Sequence, residues 1–156
     1  MARGSLLLWG IITAATMVAG GAGHAFSPAD IQKLIATGSC QECDLSGADL
    51  SDTDLSRADL SGANLFSANL SGASLTGADL SRANLGRANL SGAKLTGATL
   101  GTASLFNADL SGAKLDDTVL YGSDLSGAKF DGADFSGTTW TDGTRCNEGS
   151  VGRCKK

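Results

Sequence analysis

The sequence predicts an all-β solenoid with a short helix ahead of it, and three observations carry that reading. From Leu45 to Leu125 a leucine returns every fifth residue, seventeen times without a slip, and Phe130, Phe135 and Trp140 continue the phase to twenty units. Two places before each centre stands a small residue, fifteen times Ala, with Cys43, Thr53, Thr118, Ser123 and Thr138 as the exceptions. After the centre comes commonly Ser and then often Gly, as in Ser61-Gly62 and Ser91-Gly92. A period of five suits neither regular element. Strand alternation would throw successive leucines onto opposite faces, and an α-helix would spread them around its whole cylinder. The chain must therefore change direction once per unit. The centre and the residue two before it share one face of a very short extended piece, and Ser-Gly supplies the bend. Units that all bend the same way wind into a solenoid with Leu and Ala inside.

Ahead of the repeat, residues 1–25 read as an export signal. Arg3 is the only side-chain cation before the apolar run Leu6-Leu7-Leu8-Trp9-Gly10-Ile11-Ile12, and Gly23 and Ala25 bracket His24 as small residues do at a cleavage site after Ala25. The run is short for a membrane span, which needs about 20 residues. Cleavage without stable membrane insertion is the reading, and an uncleaved N-terminal anchor is its alternative. Cleavage leaves Phe26 to Lys156, 131 residues with 11 basic against 16 acidic side chains and no histidine. The commonest general base and metal ligand is then gone.

Residues 26–39 read as a capping helix. Ser27 serves as N-cap, Pro28 fits the first turn, Asp30 completes a capping box, and Gly38 ends the helix. Ile31, Leu34 and Ile35 share one helical face, which lids the first layer of the solenoid. An open solenoid needs such a lid, because its end exposes apolar residues and unpaired strand edges.

The recurring A-[DN]-L-S-G pattern, as in Ala63-Asn64-Leu65 and Ala108-Asp109-Leu110-Ser111-Gly112, resembles that of the pentapeptide-repeat proteins over residues 43–142. The resemblance implies a right-handed quadrilateral β-helix with four units per coil; periodicity alone supplies neither the four nor the hand. On that fold the β-helix spans residues 40–142, its twenty units make about five coils, and residues 20 apart stack. At a strand spacing of about 4.8 Å the rod is roughly 24 Å long. Ala occupies its slot because the coil is narrow and a larger side chain would overpack it. Phe130, Phe135 and Trp140 plug the last coil, and residues 143–156 form a C-terminal loop.

Four cysteines allow three pairings. A bridge from one end to the other would have to span most of the rod, whereas bridged Cα atoms lie about 5.5 Å apart. The expected disulfides are therefore Cys40–Cys43 and Cys146–Cys154, in keeping with export to an oxidising compartment.

Little in the chain suggests catalysis. A redox-active CxxC is expected at the N-terminus of a helix, but here a helix precedes Cys40 and the β-helix follows Cys43. Zinc would need two further ligands nearby, and no cofactor is implied. Asp59 and Asp79 should stack on an open face as solvated carboxylates, with no nucleophile-base pair, no phosphate loop and no concave pocket. Some pentapeptide-repeat proteins mimic duplex DNA and bind DNA gyrase, which needs a continuous negative surface. Here residues 30–59 carry seven acids against two bases and residues 116–142 six against one. Between them, residues 60–115 carry four bases against two acids, and the tail from 143 is +3. The basic waist argues against the mimic, and the net charge argues against a nucleic-acid partner.

What remains is a monomeric, exported binding or scaffold module, periplasmic or extracellular, or thylakoid-lumenal in a cyanobacterium, with a protein partner that the sequence does not name. Its candidate contacts are outward apolar residues. Phe66 and Phe106 are expected to flank a shallow notch at Gly86, and Val119 and Tyr121 to form a smaller spot.

Overall fold

A computed structural model describes residues 26–156. The expected export signal, residues 1–25, lies outside the described residues. Helix α1 runs Pro28–Thr37. Ser27 caps it, its hydroxyl accepting from the Asp30 N–H at 3.3 Å, and Gly38 ends it in the left-handed region at φ 67. Asp30 does not close a capping box on Ser27. Its carboxylate accepts instead from the Asp44 N–H at 2.9 Å, which ties the helix to the chain beyond the first corner.

From Ser39 onward each parallel bridge joins a residue to the one 20 positions later, from Ser39 with Asp59 to Val119 with Thr139. Twenty residues therefore complete one turn of the β-helix, which is four units. Two backbone hydrogen bonds hold each contact: the Leu45 N–H donates to Asn64 O and the Asn64 N–H donates to Cys43 O, both at 2.8 Å. The corner between units is a tight turn, in which the Ala48 N–H donates back to Leu45 O at 3.1 Å. The second residue after each centre as far as Phe135 sits there with positive φ, which is why Gly is frequent at that place. The rule is conformational rather than chemical, since Glu42, Asp52, Arg57, Arg82 and Thr102 adopt the same φ at the same position.

The interior is a continuous stack of leucines and alanines. Leu60 to Leu120 are all fully buried centres, and the alanines beside them are covered to within a few per cent. Four exceptions to Ala carry hydroxyls; those of Thr53 and Ser123 donate within their own corners, to Leu50 O and Leu120 O, and the other two reach across turns. Thr118 donates to Leu95 O at 2.7 Å and Thr138 to Leu115 O at 2.5 Å, so each of these two buried hydroxyls is satisfied by the turn below.

The two ends differ. At the N-terminal end α1 buries Ile31 and Leu34, but Ile35, expected on the same buried face, is 46% exposed. The stripe that a helix can bury here is only as wide as the coil it meets, and Ile35 falls beyond its edge. At the other end Phe130, Phe135 and Trp140 pack edge to face at 5.2 to 6.3 Å between ring centroids. Phe135 is fully buried, while Leu125, Phe130 and Trp140 are only partly so. Beyond Trp140 the chain reverses and pairs antiparallel with the last turn, Thr139 with Arg145 and Asp134 with Val151. The C-terminal segment is thus more than a loop, for it satisfies an edge that a parallel ladder would leave open.

Candidate functional site

Three places on this scaffold bear on function. The first is the column of residues following the leucine centres, which runs Ser46, Phe66, Gly86, Phe106, Ser126. The expected notch at Gly86 is filled: Phe66 is half-buried and its ring leans over the buried Gly86, so close that a Cβ there would lie 3.0 Å from Phe66 Cδ2. Arg87 covers the same ring, its Cζ 5.8 Å from the centroid. Phe66 and Phe106 therefore do not flank an opening. Phe106 stands out at 44% exposure. On another face Tyr121 is 59% exposed, its ring edge directed at Gly143, and Val119 is half-buried in the bridge between Thr99 and Thr139. The sequence brings Phe66 and Phe106 to one column, and Val119 and Tyr121 to one corner, but the two groups do not form one site.

The second place is the corner where α1 meets the β-helix. The structure pairs Cys40 with Cys43, their Cα atoms 5.3 Å apart, and Cys146 with Cys154 at 5.1 Å. Lys33 of α1 brings its Nζ to 3.8 Å from Cys43 Sγ, and Cys40 Sγ lies 3.1 Å from the Asp30 carbonyl. A carboxylate oxygen of Asp30 and both sulfurs fall within 4.8 Å of one another, the only such grouping of possible metal ligands among the described residues. With the sulfurs joined to each other, it offers a metal only the carboxylate. Beside it opens a shallow cleft of about 320 Å³, lined by Lys33, Gln41, Glu42, Ser61 and Arg82. The expectation of no concavity thus fails at this corner, between Lys33 of α1 and Gln41, Glu42, Ser61 and Arg82 of the β-helix. Sequence reasoning missed Lys33 and Asp30 as neighbours of the CxxC; their spacing on α1, three residues apart and so on one side of the helix, was the available signal.

The third is the acidic surface. Asp59 and Asp79 stack as bridge partners. The Ser61 hydroxyl and then the Ser61 N–H hold Asp59 below the usual carboxylate range, and the same Ser-two-on arrangement lowers Asp49, Asp54, Asp109, Asp124 and Asp134. These carboxylates are kept ionised by their own corners, which is unlike a pair tuned apart for acid-base work. Across the waist, Lys94 stacks on Lys114.

The model of the family described as pentapeptide repeats matches residues 43–82, 63–101 and 103–139, with eight copies of its repeat. The chain belongs to the pentapeptide-repeat family. Among solved structures, this pentapeptide-repeat chain is similar to a pentapeptide repeat protein from the Arabidopsis thaliana thylakoid lumen. They share 35% identity over 67% of this chain and 70% of that one, with a TM-score of 0.61. A pentapeptide repeat protein of the cyanobacterium Cyanothece 51142 shares 27% identity over 72% of this chain and 97% of its own, with a TM-score of 0.47. A plasmid-mediated fluoroquinolone resistance protein shares 26% over 64% and 68%, with a TM-score of 0.40. No curated protein matches the chain in sequence. Among the described residues of this pentapeptide-repeat protein, no helix is long and apolar enough to cross a membrane.

Proposed function

We propose that this pentapeptide-repeat protein is an exported, non-catalytic binding or scaffold module. It is a right-handed quadrilateral β-helix of five coils, capped by α1 and closed at both ends by the disulfides Cys40–Cys43 and Cys146–Cys154. The observation that carries the reading is the contrast between a filled interior and a regular polar exterior broken by exposed Phe106 and Tyr121. A solid rod offers no interior for substrate, and exposed aromatics are the side chains that anchor protein partners. The 35% identical neighbour from a thylakoid lumen supports export.

Two measurements test it. An intact mass of the protein from its own host, without reductant, is expected to show a chain beginning at Phe26 and lighter by four hydrogens. A chain retaining residues 1–25 with free thiols overturns both export and bridges. For the docking surface, the Phe106→Ser and Tyr121→Ser variants are expected to lose a partner cross-linked in the exported fraction while melting as the parent does. A DNA mimic is disfavoured by Arg82, Arg87, Lys94 and Lys114 at the waist. Protection of gyrase in a supercoiling assay would reverse that ordering.

A further inference from the structure

We propose that Cys40 and Cys43 form a dithiol–disulfide exchange site, with Cys43 the sulfur that exchanges and Cys40 the sulfur that resolves. The assignment comes from an asymmetry around the pair. Cys40 is fully buried, with its sulfur against the Asp30 carbonyl. Cys43 is 4% exposed and has the Lys33 ammonium 3.8 Å from its sulfur. The cleft beside them is lined in part by the two residues between the cysteines, Gln41 and Glu42, and two of its five lining residues are the cations Lys33 and Arg82. The Cys146–Cys154 pair has no corresponding cation contact among the described residues. An ammonium beside a sulfur stabilises its thiolate, and the thiolate is the species that attacks or departs in exchange.

The chemistry closes with a dithiol as the reductant. Its first thiolate, drawn by Lys33 and Arg82, attacks Cys43 Sγ. A sulfur–sulfur bond forms to Cys43, the bond between the two protein sulfurs breaks, and its electron pair leaves on Cys40, which takes a proton from solvent. The second thiol of the reductant, losing its proton to solvent, then attacks its own first sulfur. That closes the reductant's disulfide and expels Cys43 as a thiolate held by Lys33. Two electrons pass from the dithiol to the protein pair. In the reverse direction the Cys43 thiolate attacks an oxidised dithiol and Cys40 resolves the mixed disulfide. Besides Lys33, the charged groups facing this corner are Asp30 on α1 and Glu42 and Arg82 at the cleft. The Asp30 carboxylate, engaged by the Asp44 N–H, opposes the thiolate, so Lys33 and Asp30 act with opposite sign.

The test uses the mature protein in dithiothreitol redox buffers, with alkylation and peptide mass read separately for each cysteine pair and circular dichroism for the fold. The expected result is that Cys40–Cys43 opens while the fold and Cys146–Cys154 persist. In a Cys40→Ser background, Cys43 is expected to retain a mixed disulfide with glutathione. In that background Lys33→Met is expected to slow alkylation of Cys43 at pH 7 about tenfold, and Asp30→Asn to speed it. A bridge that opens only as the dichroism signal is lost overturns the proposal, as does an alkylation rate indifferent to Lys33→Met. That contrast reads Cys43 alone, so it answers whether or not the bridge is closed in the host. Should Cys40→Ser not fold, the rate of opening by dithiothreitol in Lys33→Met, compared with the parent chain, decides the same question.

Discussion

Phe66 rests on Gly86, one full turn along the rod: no side chain fits at Gly86 without moving the ring, because a Cβ there would meet Phe66 Cδ2 at 3.0 Å and Asn84 Oδ1 at 3.2 Å. Gly86 is not in the left-handed region, so its value lies in the space it leaves. Gly86→Ala is expected to lift the ring away from the wall and from Arg87, at a cost of about 1 kcal/mol. Phe66 and Phe106, expected to act as a pair, stand in different surroundings: Phe66 rests on Gly86 and under Arg87, whereas Phe106 is 44% exposed. Phe66→Ser should lower stability by about 1–2 kcal/mol, while Phe106→Ser should change it by less than about 0.5 kcal/mol. Urea midpoints at unchanged slope measure the difference.

The corner position predicts two substitutions of opposite sign. Thr102 holds φ 56, a costly conformation for a β-branched residue, whereas Gly92 holds φ 66 with nothing within 4 Å of a Cβ. Thr102→Gly should stabilise by about 0.5 kcal/mol, the relieved strain being offset in part by the freer unfolded chain. Gly92→Ala should destabilise by about 1 kcal/mol through backbone strain alone. Thermal melts of the two single variants check the signs.

The inward threonines differ in reach. Thr118 is fully buried and its hydroxyl bonds a carbonyl 23 residues back, on the turn below. Thr53 is half-buried and bonds Leu50 O within its own corner. Thr118→Val is therefore expected to cost about 1–2 kcal/mol and Thr53→Val only a few tenths. Equal losses in chemical denaturation would contradict the difference.

Acid should weaken the rod through its corners. Asp49, Asp59 and Asp109 are held below their usual range first by the hydroxyl and then by the N–H of the serine two residues on. A carboxylate depressed in the folded state adds stability that is complete above the unfolded value, near pH 4, and is lost as the pH falls through the folded one. Stability is thus expected to be flat from pH 7 to about 5 and to decline below about pH 4. Changing all three to Asn should flatten that decline, as read from urea midpoints between pH 6 and 2.5.

Most of the interior was legible in the residues. A strict five-residue spacing leaves each Leu and the residue two before it no other shared face, and the structure buries Leu60 to Leu120 accordingly. The helix caps were legible too, since Ser27 and Gly38 act through local geometry. Asp30 was misread because its competing donor, the Asp44 N–H, is 14 residues away. The notch at Gly86 was misread because a column of residues does not say which way a ring leans. A Gly replacing the usual Ser 20 residues after Phe66 was the available clue.

Period and composition determined that the chain turns once per unit, which residues face inward, and where the repeat begins and ends. These follow from short-range geometry, in which a side chain's direction is set by its neighbours in the chain. Only the tertiary structure decided that Ile35 stays exposed, that the tail pairs antiparallel along the last turn, and that Lys33 and Asp30 stand beside the CxxC. Each of these depends on how two segments without a shared repeat meet. Such a meeting is settled by shape, charge and unpaired edges in space, none of which a local pattern encodes.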